Sequence, residues 1–200
     1  MSETLFRTIV VACIILVLLI RLPYTKKEID NSRIYFKIFF LIILFIYLFT
    51  DWFHFALIDL PFLFRLIGVI IVIPGLLLLK ESHKTLGKYW SSLINLKIHK
   101  NHKLITSGVY EKIRHPIYSS QLLIFLGLAI IISNWFITLL IFVPLILVFI
   151  YGIPREEKLM INKFGKSYKI YMKRTSRFFP KILKTTTFKS PFISLLIIAE

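Results

Sequence analysis

The chain has few of the residues on which most soluble catalytic sites depend. Its 200 residues include one cysteine and seven glycines. The single cysteine, Cys13, cannot form an internal disulfide, and its place inside an apolar run indicates a packing residue rather than a nucleophile. The glycines form no phosphate-binding loop, and no serine or cysteine has the setting of a catalytic triad. No metal site is predicted, because His99 and His102 have no third ligand nearby.

Acidic residues are also scarce. Ten Asp and Glu stand against 26 Lys and Arg, which gives a net charge of +16. In a soluble protein this excess would suggest a nucleic-acid partner. However, 57% of the residues are hydrophobic, above the roughly 45–50% of a typical soluble domain. The sequence therefore predicts an integral membrane protein, and no nucleic-acid partner is needed to explain its charge.

Long apolar runs predict an all-α fold with about five transmembrane helices. A spanning helix needs roughly 17–25 apolar residues, and runs that reach or approach this length occur at 5–22, 34–58, 60–79, 117–133 and 135–151. Only Ser133-Asn134 separates the last two runs, which predicts a tight helical hairpin. Pro74-Gly75 interrupts the third run and predicts a kink.

The basic residues fall almost entirely on one side of this arrangement. Five lie in the first loop, eight between residues 80 and 116, and eleven after the fifth span, whereas only Arg7 and Arg65 remain for the other side. The positive-inside rule then predicts an N-terminus outside and a C-terminus in the cytoplasm. The cations would contact the anionic lipids of the cytoplasmic leaflet.

Three further segments are predicted to lie at the membrane surface. Residues 80–116 mix lysines with aromatic residues, a composition typical of the interface. Residues 156–173 place apolar side chains at helical spacing and predict one amphipathic helix. The apolar run at 192–199 is too short to span a bilayer. The sequence gives no prediction of oligomeric state.

A basic cluster, Arg114-His115-Pro116, precedes the fourth span. Pro116 suits the first turn of a helix, and the residue before a proline is kept out of the helical conformation, so His115 is expected to be extended. A helix N-terminus flanked by two such side chains can hold an anion. The alternative is a basic flank that only fixes topology, which is the more frequent case for any single side chain here.

An acidic pair, Glu156-Glu157, follows the fifth span. From residue 80 to Lys189 the other acids are Glu81 and Glu111, against nineteen Lys and Arg. The pair can lie in the first turn of a helix and interact favourably with its dipole, by roughly 0.3–1 kcal/mol. Alternatively, it can bind a cationic ligand.

Several short motifs follow one another in a fixed order between about residues 80 and 182. They are Leu86-Gly87-Lys88-Tyr89-Trp90-Ser91, Leu104-Ile105-Thr106-Ser107-Gly108-Val109-Tyr110, Arg114-His115-Pro116-Ile117-Tyr118, Glu156-Glu157, Phe164-Gly165, Tyr168, Tyr171 and Pro180. This ordered set resembles the isoprenylcysteine carboxyl methyltransferase family and the related membrane phospholipid methyltransferases. Ser120 and Met160 depart from the glycine and leucine that the family often has.

This resemblance implies an S-adenosyl-L-methionine-dependent methyltransferase that acts at the cytoplasmic face on a lipid-modified or lipid-like acceptor, above all an isoprenylcysteine carboxylate. Arg114, Arg155 or Arg174 would orient the acceptor. The expected organisation is an acceptor-side region at 1–79, a methyltransferase core at 80–182 with a hairpin at 117–151, and a tail at 183–200. The implied cofactor contacts are Tyr110, His115, Pro116, Tyr118, Glu156 and Glu157.

Two alternatives stay open. The first is a phospholipid, amine or small-thiol methyltransferase of the same fold, for which Glu157 or His115 would serve as the base. The second is a non-enzymatic membrane scaffold or a transporter. The lack of acids and bases in mid-span counts against transport, since transport pathways usually require ionisable residues within the membrane.

Overall fold

A computed structural model describes residues 2–21, 56–89 and 103–180, together with a few isolated positions between 23 and 45. This part of the chain is helical and contains only two isolated β-bridges. A π-helical segment, Val148–Gly152, joins the helices Trp135–Leu147 and Ile153–Phe164. The helices are α1 (Ser2–Arg21), α2 (Phe62–Leu86), α3 (Val109–Lys112), α4 (Pro116–Ile132), α5 (Trp135–Leu147), α6 (Ile153–Phe164) and α7 (Lys166–Arg174).

The predicted all-α membrane fold is confirmed. Helices α1 and α2 and the continuous helix Trp135–Phe164 are long and apolar enough to cross a membrane, and α4 is an apolar helix of 17 residues. These helices coincide with four of the five predicted spans. The predicted span at 34–58 lies largely outside the described residues, and so does the tail at 183–200 with its apolar run.

Helices α2 and α4 pack closely because glycines face each other at their crossing. A Cβ atom added at Gly68 would lie 2.6 Å from the carbonyl oxygen of Gly127, and one added at Gly75 would lie 2.8 Å from Ile124 Cγ1. Small residues of this kind let helix backbones approach one another within a membrane. Helices α1 and α5 add to the same core, whose fully buried members include Phe6, Val10 and Ile141.

The end of the bundle that carries the α4–α5 turn is fastened by polar contacts. Ser133 adopts the left-handed conformation (φ 56°), and its hydroxyl donates to the Ile58 carbonyl over 2.6 Å. Asn134 caps α5 by accepting from the Ile137 N–H at 3.1 Å. Only Ser133 and Asn134 thus separate α4 from α5. We call the end of the bundle at which Ile58 and Asp59 lie beside the Ser133-Asn134 turn the hairpin end.

A buried arginine also lies at the hairpin end. Arg65 donates from Nε to the Ile131 carbonyl (2.8 Å) and from Nη1 to Glu3 Oε2 (2.6 Å), and its guanidinium covers the Phe6 ring at 4.1 Å. These contacts join α1, α2 and α4. They also satisfy a charge that would be costly to bury alone.

Helix α2 ends seven residues later than the predicted third span. It continues through Pro74 without a break and stops at Gly87, whose φ of 52° favours glycine. Ser82 and His83, which the sequence placed in a surface segment, are buried in this extension. The predicted boundary at residue 79 therefore falls inside a helix. Most of the remaining surface segment, 90–102, lies outside the described residues.

The predicted single helix at 156–173 is wrong. Two helices, α6 and α7, occupy this range, and Gly165 (φ 52°) separates them. Helix α6 is also not a separate surface helix, since it continues α5 through the π segment. The left-handed conformation of Gly165 turns the chain so that α7 packs back on α6.

Candidate active site

Three separate parts of the chain meet beside the N-terminus of α4. The backbone N–H of Arg114 donates to the Ser176 carbonyl (2.8 Å), and that of His115 donates to the Arg177 carbonyl (3.0 Å). The Ser119 hydroxyl donates to the Phe178 carbonyl over 2.7 Å. The segment after α7 thus runs alongside the residues before α4, and α6 lies against both.

Glu157 lies at the centre of this meeting point and is buried. Its Oε1 accepts from Arg114 Nε at 3.1 Å and lies 3.2 Å from His115 Nε2. Arg177 binds the carboxylate with two donors, Nε to Oε1 at 3.2 Å and Nη2 to Oε2 at 2.7 Å. We call Glu157, Arg114, His115 and Arg177 the Glu157 cluster. Its members come from before α4, from α6 and from after α7.

Arg114 also fastens the end of α7. Its Nη1 donates to the carbonyl oxygens of Met172 (3.0 Å) and Thr175. A cation at a helix C-terminus satisfies unpaired carbonyls and interacts favourably with the helix dipole. Arg114 therefore has a structural task in addition to any contact with a ligand.

Glu156 has a different environment from its neighbour. Its side chain is 28% exposed, and Oε2 accepts from the Tyr118 hydroxyl at 2.9 Å. The nearest basic atom is His115 Nδ1 at 3.9 Å, and within the described part of the chain no Lys or Arg pairs with Glu156. This carboxylate therefore keeps capacity to bind a cation.

Aromatic rings line the same region. The ring centroid of Tyr118 lies 5.5 Å from that of His115 and 6.2 Å from that of Phe149. The Phe149 ring in turn stacks on Phe178, with the two centroids 4.9 Å apart. Phe149 belongs to the π segment, a local change of helical phase that often occurs at functional sites. The rings place an apolar surface beside the Glu156 carboxylate.

The two carboxylates change the ionisation of groups around them. The hydrogen bond with Glu157 raises the pKa of Arg177 above its ordinary value. Burial, and then the charges of Glu157 and Glu156, raises the pKa of Tyr168 well above 10. Burial, followed by the charge of Glu156, does the same to the pKa of Tyr110. Both phenols are therefore neutral at physiological pH.

Most of the predicted site residues converge here. Tyr110, the last residue of one of the predicted motifs, accepts a hydrogen bond at its carbonyl oxygen from the Tyr171 hydroxyl (2.6 Å). His115 is not helical (φ −122°) and Pro116 begins α4, as predicted. Arg155 and Arg174 are exposed and form no hydrogen bond or ion pair with the described residues, so their roles stay predictions.

Sequence reasoning missed Arg177. Its only sequence signal is membership of the eleven cations after the fifth span. The helix-dipole interpretation of the acidic pair also loses support. Because Trp135–Phe164 is one continuous helix, the backbone N–H groups beside Glu156 and Glu157 do not form a free helix N-terminus.

The Glu157 cluster predicts a difference in stability between two neighbouring variants. Glu157→Gln removes the charge shared by two guanidinium groups, and breaking a buried pair typically costs about 3–5 kcal/mol. We expect it to lower the melting temperature of the detergent-purified protein by several degrees. Glu156→Gln, the matched control, removes a charge that pairs with no Lys or Arg of the described residues, and its amide oxygen can still accept from Tyr118, so it should melt close to the wild type. Equal melting temperatures for the two variants would contradict the central role of Glu157.

Comparisons with known proteins point to one family. The sequence model of the phospholipid methyltransferases matches residues 63–167, just over half of the chain. Protein-S-isoprenylcysteine O-methyltransferase B of Arabidopsis thaliana is 33% identical over 107 residues, which cover 54% of each chain. The cobalt-zinc-cadmium resistance protein CzcN of Cupriavidus metallidurans is 31% identical over 105 residues, 52% of this chain and 48% of CzcN.

A solved structure is similar as well. The eukaryotic intramembrane Ras methyltransferase ICMT (isoprenylcysteine carboxyl methyltransferase) superposes with a TM-score of 0.59 and 26% identity, over 78% of this chain and 55% of that one. The chain thus spans about half the length of these relatives. The family resemblance carried by its motifs is confirmed. The chain is a membrane protein of the phospholipid methyltransferase family, to which its isoprenylcysteine methyltransferase relatives also point.

Proposed function

We propose that the protein transfers a methyl group from S-adenosyl-L-methionine to the carboxylate of an isoprenylcysteine-like acceptor held in the membrane. One observation carries the proposal: a carboxylate open to a cation, Glu156, lies beside a cluster with two guanidinium groups. One site thus has a place for a cationic donor and a place for an anionic acceptor. The relatives named as isoprenylcysteine O-methyltransferases support this acceptor class.

The residues present fit this cofactor. S-adenosylmethionine supplies an electrophilic methyl group on a sulfonium and also carries an ammonium. Glu156 would hold one cationic group, with Tyr118 fixing the carboxylate by its hydrogen bond. The faces of Tyr118 and Phe149 attract a cation through their quadrupoles, by roughly 0.5–2 kcal/mol. Of the other residues predicted to contact the cofactor, His115 lies 3.9 Å from this carboxylate through Nδ1, and the pKa of Tyr110 is raised by burial and then by the charge of nearby Glu156. Pro116 follows His115 in the chain and stays a prediction.

The proposed reaction needs no general base. An α-carboxylate has a pKa of about 3.3–3.7 and is already ionised at neutral pH. Its oxygen forms a bond to the methyl carbon while the carbon–sulfur bond breaks and the electron pair stays on sulfur, so that no proton moves. The contribution of the chain is alignment, which can supply about 7–11 kcal/mol. The aromatic rings place an apolar surface beside the charged groups, and a lower local dielectric constant strengthens their contacts.

The acceptor needs a cation to orient it. Arg114, one of three predicted candidates, already donates to Glu157 and to two carbonyl groups. We infer that Arg114 mainly positions the site. Arg155 and Arg174 remain candidates for contact with the acceptor because both are exposed.

An amine, phospholipid or thiol acceptor is the second candidate function. The match to the phospholipid methyltransferase model supports keeping it. Such an acceptor must lose a proton. His115, whose Nε2 lies 3.2 Å from Glu157 Oε1, is then the base candidate that the geometry supports.

Base treatment of the methylated product distinguishes these acceptors. Purified protein is offered labelled S-adenosylmethionine with N-acetyl-S-farnesylcysteine, a phospholipid amine and a small thiol in parallel. We expect label on the farnesylcysteine that base releases as methanol, because esters are base-labile. Label only on the amine or the thiol, stable to base, would contradict carboxyl methylation and support the second candidate.

Glu156 is expected to carry most of the cofactor affinity. Glu156→Gln removes the charge that faces the cationic group, and we expect it to weaken S-adenosylmethionine binding by at least tenfold, about 1.4 kcal/mol. The binding is measured by calorimetry on detergent-purified protein. Glu111→Gln, an exposed acid on α3, is the control and should bind normally. Unchanged affinity in Glu156→Gln would remove this carboxylate from the cofactor site.

We propose that the hairpin end lies outside and the candidate site at the cytoplasmic face, as the positive-inside rule predicts. Asp59 and Lys112 are exposed near opposite ends of the bundle. In a Cys13→Ala background, a cysteine at position 59 should react with an impermeant maleimide from the outside of intact cells. A cysteine at position 112 should react only after lysis. Labelling of both from one side would contradict the topology.

A further inference from the structure

Arg177 is the exposed member of the Glu157 cluster. Its side chain is 48% exposed, whereas those of Glu157 and Arg114 are 5% and 8% exposed. Nε and Nη2 of Arg177 each donate one hydrogen bond to Glu157. A guanidinium has five N–H donors, and among the described residues no other acceptor bonds to Arg177. Three donors therefore remain, two on Nη1 and one on Nη2.

The charge of the cluster leaves Arg177 short of a counter-ion. Two guanidinium groups share the single carboxylate of Glu157, so the cluster has a surplus positive charge even with neutral His115. Arg114 cannot present that surplus, because it is buried and two of its nitrogens are engaged. The surplus is therefore presented where the cluster opens, at the free edge of Arg177.

The orientation of this guanidinium is already fixed. A two-point contact with Glu157 holds its plane, so an anion that binds the Nη1–Nη2 edge does not have to order a flexible side chain. Arg155 and Arg174 have no such support within the described part of the chain. Phe178, the next residue, stacks on Phe149 and gives an apolar surface beside the charge. A carboxylate attached to an apolar chain matches both features.

We propose that Arg177 binds the carboxylate of the acceptor through its Nη1–Nη2 edge while Glu157 holds the guanidinium in place. This inference rests on the proposed function and deepens it, since it names the residue that recognises the acid. Arg177 would determine specificity for a carboxylate over a neutral headgroup. Its removal should therefore affect acids and not their neutral analogues.

The test compares an acid with its amide. N-acetyl-S-farnesylcysteine is the substrate, and its carboxamide, which lacks the anionic oxygen, is a competitive inhibitor. We expect Arg177→Gln to raise the KM for the acid at least tenfold and to leave the inhibition constant of the amide unchanged. Arg177→Lys keeps the charge but loses the two-point contact, so its KM for the acid should lie between those of the wild type and of Arg177→Gln. Lys169→Gln, an exposed cation on α7, is the matched control and should behave as wild type.

Four outcomes would overturn the inference. If the binding of the acid and that of the amide weaken equally in both Arg177 variants, Arg177 merely positions Glu157. The same conclusion follows if only the KM for S-adenosylmethionine rises. If Arg177→Gln does not fold, an unchanged acid-to-amide ratio in Arg177→Lys overturns the inference in the same way. A wild-type protein that methylates the amine or thiol but not the acid would instead overturn carboxyl methylation itself, and the inference with it.

Discussion

The architecture around the candidate site depends on one buried carboxylate. Glu157 is held on α6, and its partners come from the residues before α4 and after α7. An ionised group away from water needs close partners, and losing one is costly. These three segments must therefore assemble together or leave charges uncompensated. This requirement explains why a chain so poor in acids has Glu157 at this place.

Contacts among the membrane helices, including those at the hairpin end, also position the candidate site. Gly68 and Gly127 bring α2 and α4 into backbone contact, and Arg65 joins both to α1 at the hairpin end. A rigid α4 has a defined N-terminus, and the chain immediately before it carries Arg114 and His115. The Ser133-Asn134 turn then sends α5 back along α4, so that α6 reaches the site with the acidic pair.

Local rules predicted the parts of the fold that short segments determine. The steric effect of Pro116 on His115 and the short turn at Ser133-Asn134 are properties of neighbouring residues, and both were predictable. The end of α2 was not, because Lys80, Glu81 and Lys84 have a loop-like composition, although no Pro or Gly lies between Gly75 and Gly87. The positive φ of Gly165, which separates α6 from α7, also had no unambiguous signal. The partnership of Glu157 with Arg177 depends on that break. It could not be predicted, because eleven Lys and Arg follow the fifth span and no motif distinguishes Arg177 among them.

The length of α4 has a consequence for the surrounding bilayer. Its 17 residues extend about 25 Å at 1.5 Å per residue, whereas the hydrocarbon core is about 30 Å thick. The neighbouring helix Trp135–Phe164 has 30 residues and extends about 45 Å. Lipids beside α4 must therefore compress, or the His115 end must lie below the headgroups, at a cost that rises with each ångström of mismatch. Acyl-chain length in the host membrane thus becomes a physical control on the depth at which the candidate site lies.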